Sequence, residues 1–361
     1  MKQTLAVKLV PSPEQYASLL ATMERFNAAC DAIAIVAYRE RCANKVRLQK
    51  IVYYSIRADF GLPSQLTIHA VRKVVDAYKR DRSVQPRFRP HGAITYDQRI
   101  MSWKGVEIIS LLTLGGRQRI PVSFGPYQAA RLDRRRGQAD LVYRDGVFYL
   151  YVTIDTPEPP PGEFADVLGV DLGIVNIAAD SDGETHSGSQ VNGLRKRHTK
   201  LRARLQSRGT KSARRLLKKR SRKESRFARD INHVISKKLV AKAKCTKRAI
   251  ALEDLQGIRS RIKVRRPQRR QQHSWSFGQL RSFLEYKARL AGVPILVVNP
   301  HYTSQTCPAC GQVARANRSS QAKFLCTGCG LAGPADTIAA ENIRVLGRAA
   351  VMQPYAAGHA A

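Results

Sequence analysis

Acidic residues are scarce in this chain of 361 residues: Asp and Glu number 27 against 63 Lys and Arg, so the formal net charge is +36. The charged fraction of 25% is ordinary for a globular protein, and only its sign is unusual. A positive surplus of this size repels itself unless a polyanion neutralises it, and nucleic acids are the abundant polyanions of the cell. An anionic membrane surface fits less well, because the basic residues are not tied to an exposed apolar helix face.

Long apolar runs are also missing, which excludes a membrane-spanning helix, since such a helix needs roughly 18 consecutive apolar residues. The first ten residues lead straight into charged sequence and are too short for a signal peptide. The hydrophobic fraction of 43% is nevertheless high enough for packed cores, so wholesale disorder is excluded. We therefore expect a cytoplasmic protein of two to four domains, taking about 150 residues for each domain.

The first part of the chain predicts a β-rich unit with helices inserted after its first strand. Alternating apolar residues indicate that strand over residues 4–10. Helical periodicity then covers three stretches, 14–43, 46–60 and 64–79. Short strands follow up to residue 155, and Asp145-Gly146 is a strong hairpin signal between two of them. A Pro-rich link, residues 156–162, marks a domain boundary.

The second part alternates strands with helices, which is typical of an α/β domain. A buried-type strand ends at Asp171, and another runs from Arg248 to Leu252. We expect a long helix to continue from the basic segment near residue 223 to about Lys244, and a last helix to begin near Pro334. Residues 348–361, rich in Ala and Gly, are expected to form a loose tail.

Cysteine is infrequent and unevenly placed. Three of the seven cysteines are scattered (Cys30, Cys42 and Cys245), and the other four form two C-x2-C pairs separated by 15 residues: Cys307, Cys310, Cys326 and Cys329. Four thiolates on tight turns can close a tetrahedral shell around one Zn²⁺, and such a site is structural because it leaves no open coordination position. The alternative is a chance grouping of free cysteines, which the paired spacing disfavours.

Three acids stand out by their context: Asp171 and Glu253 at strand ends, and Asp336 at the start of a helix. Carboxylates placed in this way can bind two Mg²⁺ ions on either side of a scissile phosphate. An acid at a strand end is more commonly solvated, and Asp336 after Pro334 could serve as a helix cap. Spacing alone therefore does not distinguish a catalytic trio from three unrelated acids.

Two basic segments are candidates for phosphate binding. Residues 194–223 carry 15 Lys or Arg and no acid, and residues 259–270 carry seven more. A solvated helix face is the alternative for the first segment, but phosphate contact explains so dense a run better and predicts binding that weakens steeply with salt. Trp275 and Phe277 could stack on a base, although core packing is the commoner fate of aromatics. The candidate contacts of the first segment are Arg195, Lys196, Arg197, Lys200, Arg202, Arg214, Arg215, Lys218, Lys219 and Arg220.

Several motifs in the second part resemble those of the TnpB family, the transposon-encoded relatives of type V CRISPR effector nucleases. They cover about half the chain in the family's order: Val-Asp-Leu-Gly at 170–173, Ala-Leu-Glu-Asp-Leu at 251–255, Val-Asn-Pro-His-Tyr-Thr-Ser-Gln-Thr-Cys-Pro-Ala-Cys-Gly at 298–311, Phe324 before Cys326, and Ala335-Asp336 with Ala-Ala-Glu-Asn-Ile at 339–343. Two local departures are Ala335, where many members have Arg, and Thr337-Ile338 in place of Val-Asn. The metal-binding carboxylates of the motifs are all present.

The resemblance implies an α/β RNase H-like (RuvC) nuclease domain with a zinc-ribbon insertion, preceded by a β-barrel wedge domain that carries an inserted helical recognition lobe. It implies the following division of the chain: wedge 1–13 and 90–156, recognition lobe 14–89, linker 157–164, RuvC-like domain 165–300 and 331–347, zinc-binding insertion 301–330, and tail 348–361. Asp171, Glu253 and Asp336 then match the catalytic triad.

The function implied by the resemblance is RNA-guided cleavage of DNA next to a short motif, with Mg²⁺ as cofactor and one structural Zn²⁺. The partners would be a guide RNA from the element's own end and double-stranded target DNA, in the cytoplasm of a prokaryote and on its nucleoid. No membrane partner is expected. The motif contacts are expected in the helical region of the first part, among Tyr53, Tyr54, Ser55, Arg72 and Lys73, although these could also lie on ordinary helix surfaces.

Other functions remain open at this point. A compact type V CRISPR effector would use the same chemistry with a different source of guide. A guide-directed DNA-binding repressor without cleavage and a zinc-ribbon RNA-binding protein are rivals of another class, and the intact trio of acids weighs against both. The sequence carries no tyrosine or DDE signature of a transposase.

Overall fold

The computed structural model describes residues 1–255 and 277–352. Within it the chain separates into two compact units, Met1–Pro157 and the part that begins at Glu158. The predicted basic segment 259–270 and Trp275 lie outside the described residues. No helix of the described ranges is long and apolar enough to cross a membrane.

The first unit is built on an antiparallel seven-stranded sheet in the order β2-β6-β7-β1-β5-β4-β3. Its two edge strands, β2 and β3, are separated by only four residues of sequence, so the sheet curls until its edges meet in a nearly closed barrel. The amide of Leu112 on β4 donates to the carbonyl of Ile100 in this connection at 2.9 Å. The strands are β1 Lys2–Leu9, β2 Ile94–Tyr96, β3 Met101–Lys104, β4 Ile108–Thr113, β5 Gly116–Ser123, β6 Arg135–Arg144 and β7 Val147–Asp155.

Strict alternation of apolar and polar residues explains how the barrel is filled. On β7, Phe148, Leu150, Val152 and Ile154 are buried while the residues between them are partly exposed. This period of two turns one face of each strand toward the core. The Asp145-Gly146 hairpin is confirmed, because Arg144 pairs with Val147 across it.

Three helices are inserted between β1 and β2: α1 Pro13–Arg39, α2 Lys45–Phe60 and α3 Ser64–Arg80. Helix α1 begins with a capping box in which Ser12 and Gln15 satisfy each other's backbone amides. Its buried stripe, which includes Leu19, Met23 and Phe26, shares one hydrophobic core with the barrel. A short helix, α4 Pro126–Ala129, and a 3₁₀ turn over 132–134 lead into β6.

The second unit is built on a five-stranded sheet in the order β10-β9-β8-β11-β12. β8, β11 and β12 are parallel, and the two hairpin pairs β8–β9 and β9–β10 are antiparallel. The central strands are almost entirely buried, as expected for strands covered on both faces. The strands are β8 Asp166–Asp171, β9 Asn176–Asp180, β10 Thr185–Ser187, β11 Arg248–Glu253 and β12 Ile295–Val298.

Helices pack on both faces of this sheet. Leu168, Val170 and Leu252 face one side, where they meet α7 (Lys223–Cys245) and α8 (Phe277–Ala291). The opposite face carries Val167, Ala249 and Ala251 against Ile343 of α9 (Ala335–Met352). Phe277 packs with the first of these clusters, so core packing is its observed role in this structure.

The structure confirms the predicted long helix as α7, and the basic segment before it forms two further helices, α5 Ser189–Arg208 and α6 Lys211–Arg220. Left-handed Gly209 ends α5, and Thr210 caps α6 by accepting from the amide of Ala213 at 3.2 Å. One expectation for the second unit is corrected. The predicted tail begins too early, since α9 continues to Met352. Residues 353–361 lie outside the described range.

Candidate active site and nucleic-acid surfaces

Asp171 and Glu253 lie side by side at the ends of two neighbouring parallel strands. Leu252 pairs with Val170, so the next residue on each strand brings Glu253 opposite Asp171. Because side chains alternate along a strand, Asp171 points to the same face as Val167, and Glu253 to the same face as Ala251. This is the face covered by α9, and both acids therefore point toward that helix.

Asp336 enters from α9 on the same face. A Cβ at Gly169 of β8 would lie 2.0 Å from the carbonyl oxygen of Ala340, so only glycine lets the strand and the helix approach this closely. Asn176 of β9 donates its side-chain amide to a carboxylate oxygen of Asp336 at 2.9 Å. This bond ties Asp336 to the sheet and gives its side chain a role beyond capping its own helix.

The electrostatics of the site reflect three acids crowded in one place. Burial, with the nearby charges of Glu253 and Asp336, raises the pKa of Asp171 to about 7. Burial also raises the pKa of Glu253, although a hydrogen bond from Thr303 opposes the shift. Such crowding is unfavourable for anions alone and favours the binding of cations.

Arg318 is a functional candidate that the sequence analysis missed. Its guanidinium lies 3.8 Å from a carboxylate oxygen of Asp336. Its positive charge also lowers the pKa values of Asp171 and Glu253 against the effect of burial. Arg318 lies between the two cysteine pairs, where the only sequence signal is one more basic residue in a basic chain.

Thr303 and Asn342 support the site from behind. The hydroxyl of Thr303 donates to Glu253 at 2.5 Å, and the side-chain amide of Asn342 donates to the carbonyls of Thr303 and Thr306, each at 2.7 Å. α9 therefore fixes the segment that orients Glu253. Both residues belong to motifs that resemble TnpB, but nothing in their spacing predicted this contact.

The four clustered cysteines do come together. Their sulfur atoms all lie within 4.8 Å of one another, and two pairs, Cys307–Cys329 and Cys310–Cys326, are 3.5 Å apart. A tetrahedron with metal–sulfur bonds of about 2.3 Å has sulfur–sulfur edges of about 3.8 Å, so the four thiols fit one metal ion.

The local backbone favours the thiolate form of Cys326. The amides of Cys329 and Gly328 donate to the sulfur of Cys326, each at 3.4 Å, and lower the pKa of this thiol to about 6. The cluster lies at a two-stranded ribbon, β13 Lys323–Leu325 and β14 Ala332–Pro334, where Phe324 and Ala335 pack against Cys307 and Cys326. The other cysteines lie elsewhere: Cys30 and Cys42 are buried and Cys245 is exposed.

Most candidate phosphate contacts of the basic segment lie on the surfaces of α5 and α6. Arg195 is the exception, because it is half-buried and lies 3.4 Å from Glu224. Arg220 is also half-buried. The exposed side chains are Lys196, Arg197, Lys200, Arg202, Arg214, Arg215, Lys218 and Lys219.

The five candidates of the first unit have different environments. Tyr54 and Ser55 are exposed on α2, and Tyr53 is half-buried beside them. Arg72 of α3 lines a cleft of 520 Å³ together with Gln65, His69, Gln98 and Arg99, among others. Sequence reasoning did not identify the other residues of this cleft.

Lys73 requires a correction. Its ammonium donates to Asn27 and to the carbonyl of Ala93, both at 2.7 Å, and lies 5.3 Å from the ring centres of Phe26 and Phe88. Burial lowers its pKa. Lys73 therefore stabilises the junction of α1 and α3 rather than presenting a charge to a nucleic acid. Its helical position alone could not distinguish these roles.

Two family models match the second half of the chain. Residues 149–257 match a family described as probable transposase, and residues 277–343 match the Cas12f1-like TNB domain. Asp171 and Glu253 lie within the first range, and Asp336 and the four clustered cysteines lie within the second.

Individual relatives extend this result. A TnpB-like protein of Methanocaldococcus jannaschii is 30% identical over 196 residues, which are 51% of this chain and 69% of that protein. The Escherichia coli K12 protein named "Putative RNA-guided DNA endonuclease InsQ" is 29% identical over 320 residues, covering 80% of this chain and 75% of its own length. These matches define a transposase-related protein. The chain belongs to the TnpB family, as the sequence motifs predicted.

Related CRISPR-associated proteins are larger than the matching region. The match spans 39% and 35% of two Cas12f endodeoxyribonucleases. A solved Cas12f1 structure, in complex with single-guide RNA and target DNA, superposes on this chain with a TM-score of 0.61 at 12% identity, covering 95% of this chain and 98% of that one. At such low identity the superposition establishes the fold, which is the fold shared by TnpB-like and Cas12f proteins.

Proposed function

We propose that this protein is an RNA-guided DNA endonuclease of a transposable element that cleaves target DNA next to a short motif. The observation that carries the proposal is the convergence of three carboxylates, from β8, β11 and α9, on one face of the sheet, with Arg318 beside them. The relative named "Putative RNA-guided DNA endonuclease InsQ" supports the same activity.

The topology of the second unit supports a RuvC-type, RNase H-like nuclease domain. Three consecutive strands, β8 to β10, form an antiparallel meander. β11 then pairs in parallel with β8, and β12 pairs in parallel with β11. We retain the division given by the resemblance, with the wedge at 1–13 and 90–156, the recognition lobe at 14–89, the nuclease domain at 165–300 and from 331 onward, and the insertion at 301–330. The end of the nuclease domain moves from residue 347 to the end of α9 at Met352.

Asp171, Glu253 and Asp336 would hold Mg²⁺, since an all-oxygen set of carboxylates suits this hard cation. Bound Mg²⁺ supplies activation of the attacking water and neutralisation of charge at the scissile phosphate. Asn176 fixes the carboxylate of Asp336, and Thr303 fixes that of Glu253. Arg318 is placed to offer positive charge to the phosphate oxygens as the bond breaks.

Cys307, Cys310, Cys326 and Cys329 would hold one structural Zn²⁺. The donor set consists of four thiols, which leaves no position for a substrate. The role of these residues is to fix the segment that carries Thr303 and Arg318, both of which contact the acids. A zinc site here would therefore support the active site from a distance.

The nucleic acids would be held by positive surfaces on each unit. The exposed cations of α5 and α6 would bind phosphates of the guide RNA. In the first unit, the cleft that Arg72 lines offers guanidinium and amide groups of the kind that read base edges, and we propose it for the motif beside the target. Tyr53, Tyr54 and Ser55 on α2 remain proposed contacts.

The test begins with purification of the protein from cells that express its native locus, followed by sequencing of the bound RNA. We expect a discrete RNA with a constant part that continues into flanking sequence at its 3′ end. A CRISPR repeat would instead identify a type V effector, the second candidate, which the Cas12f relatives favour. Heterogeneous RNA would contradict the guided function.

Cleavage is then measured with that RNA and a matching DNA in Mg²⁺. Asp171→Asn, Glu253→Gln and Asp336→Asn should each abolish cleavage while RNA binding is unchanged. Asp254→Asn is the matched control, because Asp254 follows Glu253 in sequence but lies 3.0 Å from Arg281 of α8. Cleavage retained by any variant of the three acids would contradict the assignment of the site.

A further inference from the structure

A cavity of 360 Å³ lies between α5 and α6, away from the acids and the cysteines. Its apolar part is formed by Leu201, Leu205 and Leu217, and its polar part includes Arg202, Gln206 and Arg220. This volume falls within the range of about 300–1,000 Å³ that is typical of small-molecule sites. Phosphate contacts by the exposed cations of these helices need no cavity.

The shape of the cavity follows from the helix hairpin. Gly209 ends α5 and Thr210 starts α6, so the two helices run back along each other. Leu205 is buried at 6% exposure, while Leu201 and Leu217 are half-buried. The result is an apolar surface that opens to solvent between two strongly basic helices.

The polar groups of the lining match a nucleotide. Among the residues that the structure describes, no carboxylate lines the cavity. The Nε atom of Arg220 is buried and makes no hydrogen bond to any residue that the structure describes, so it has an unused donor. Gln206 can both donate and accept, which is what recognition of a base edge requires.

We propose that this cavity binds one unpaired nucleotide of the RNA, with its base on the leucines and its phosphate at Arg202 and Arg220. Folded RNA offers unstacked bases in its loops and bulges, whereas the bases of a duplex target are stacked and paired. The inference rests on the proposed function only in taking the bound polyanion to be the guide RNA.

The base contact is tested by binding rather than by cleavage. The full chain is titrated with a single-stranded RNA of about 12 nucleotides and with an abasic RNA of the same length, which has the same phosphates. Wild type should bind the RNA with bases about 10-fold more tightly. Gln206→Ala and Leu217→Ala should each reduce this preference and leave the affinity for the abasic RNA unchanged.

Two controls separate the cavity from the charged surface. Leu216→Ala changes the neighbouring, 40% exposed leucine outside the cavity and should behave as wild type. The double variant Lys218→Ala, Lys219→Ala should lower the affinity for both RNAs equally and reduce the salt dependence of binding. The proposal fails if Gln206→Ala and Leu217→Ala keep the full preference for bases, or if wild type has none.

The source of the nucleotide is tested by chemical probing of the complete complex with the copurified RNA. One unpaired base should be protected in wild type and in Leu216→Ala, and reactive in Gln206→Ala. If Gln206→Ala instead changes only a base of the displaced DNA strand, the assignment to RNA is wrong. Neither assay depends on DNA cutting. If the wild-type complex fails to cleave DNA, that result contradicts the proposed endonuclease and not this site.

Discussion

The guanidinium of Arg318 lies 3.8 Å from the carboxylate of Asp336, although the two residues belong to different parts of the second unit. Arg318 follows a short 3₁₀ turn between the cysteine pairs, whereas Asp336 is in the first turn of α9. Thr303, which precedes the first cysteine pair, donates a hydrogen bond from its hydroxyl to the carboxylate of Glu253. The cysteine-bearing segment therefore supplies two of the side chains that surround the acids.

Replacement of Arg318 by alanine should lower the rate of DNA cleavage by about 10²–10³-fold, because one fixed positive charge is lost where negative charge develops in the transition state. RNA affinity should not change. Arg315→Ala is the matched control, since Arg315 is exposed on the same turn. Single-turnover cleavage rates at saturating guide RNA make the comparison, and equal rates for the two variants would exclude this role for Arg318.

Gly169→Ala should destabilise the second unit and impair cleavage together. The new methyl would lie 2.0 Å from the carbonyl oxygen of Ala340 and 2.5 Å from the amide of Arg344, so α9 has to move away from β8 and take Asp336 with it. Overpacking of this kind costs about 1–3 kcal/mol or more. Gly193→Ala in α5 is the control and should be neutral or slightly stabilising, because the new Cβ would have no described atom beyond its own helix backbone within 4 Å. Thermal unfolding and cleavage rates measure both effects, and a Gly169→Ala variant as stable as Gly193→Ala would show that the contact is not tight.

Stability in buffer without Mg²⁺ should fall as the pH rises from about 4 to about 7. Burial raises the pKa of Asp171 to about 7, whereas an unfolded chain keeps it near ~3.9. Within this window the folded protein retains a proton that the unfolded chain has lost, so each increase in pH favours unfolding. Above the folded pKa the contribution is constant. The raised pKa of Glu253 acts in the same direction.

Asp171→Asn removes this titration, so the variant should melt at a higher temperature than wild type at pH 8 and depend less on pH. Mg²⁺ should raise the melting temperature of wild type at pH 8 more than that of the variant, because a cation offsets the repulsion among the acids. The control variant Asp254→Asn should keep the pH dependence of the wild-type melting temperature. If the melting temperatures of Asp171→Asn and wild type change in parallel between pH 4 and pH 7, Asp171 is not the group responsible for the pH dependence.

Cys326→Ser should reduce bound zinc from one ion per chain to a substoichiometric amount. The serine oxygen is a poorer ligand than a thiolate whose pKa the amides of Cys329 and Gly328 lower to about 6. Because the segment also carries Thr303 and Arg318, cleavage should fall in parallel. Cys245→Ser, at an exposed cysteine outside the cluster, is the control. Metal analysis of the purified proteins decides the first point, and full zinc occupancy in Cys326→Ser would contradict it.

Much of this protein could be read from its sequence because the signals are local. The spacing of the four cysteines, the Asp145-Gly146 hairpin and the change from helices to strands each involve residues close together in the chain, and the structure bears them out. The three acids were identified because their neighbours resemble motifs of one family. The excess of positive charge was equally plain, since it depends on composition alone.

Only the tertiary structure decided which side chains meet. The bond from Asn176 to Asp336 joins residues 160 positions apart, and that from Thr303 to Glu253 joins residues 50 apart. Lys73 and Arg72 are neighbours in one helix, yet Lys73 donates a hydrogen bond to Asn27 within the protein whereas Arg72 lines a cleft. Sequence patterns determine which face of an element is apolar, whereas packing between distant elements determines what that face, and each polar group on it, encounters.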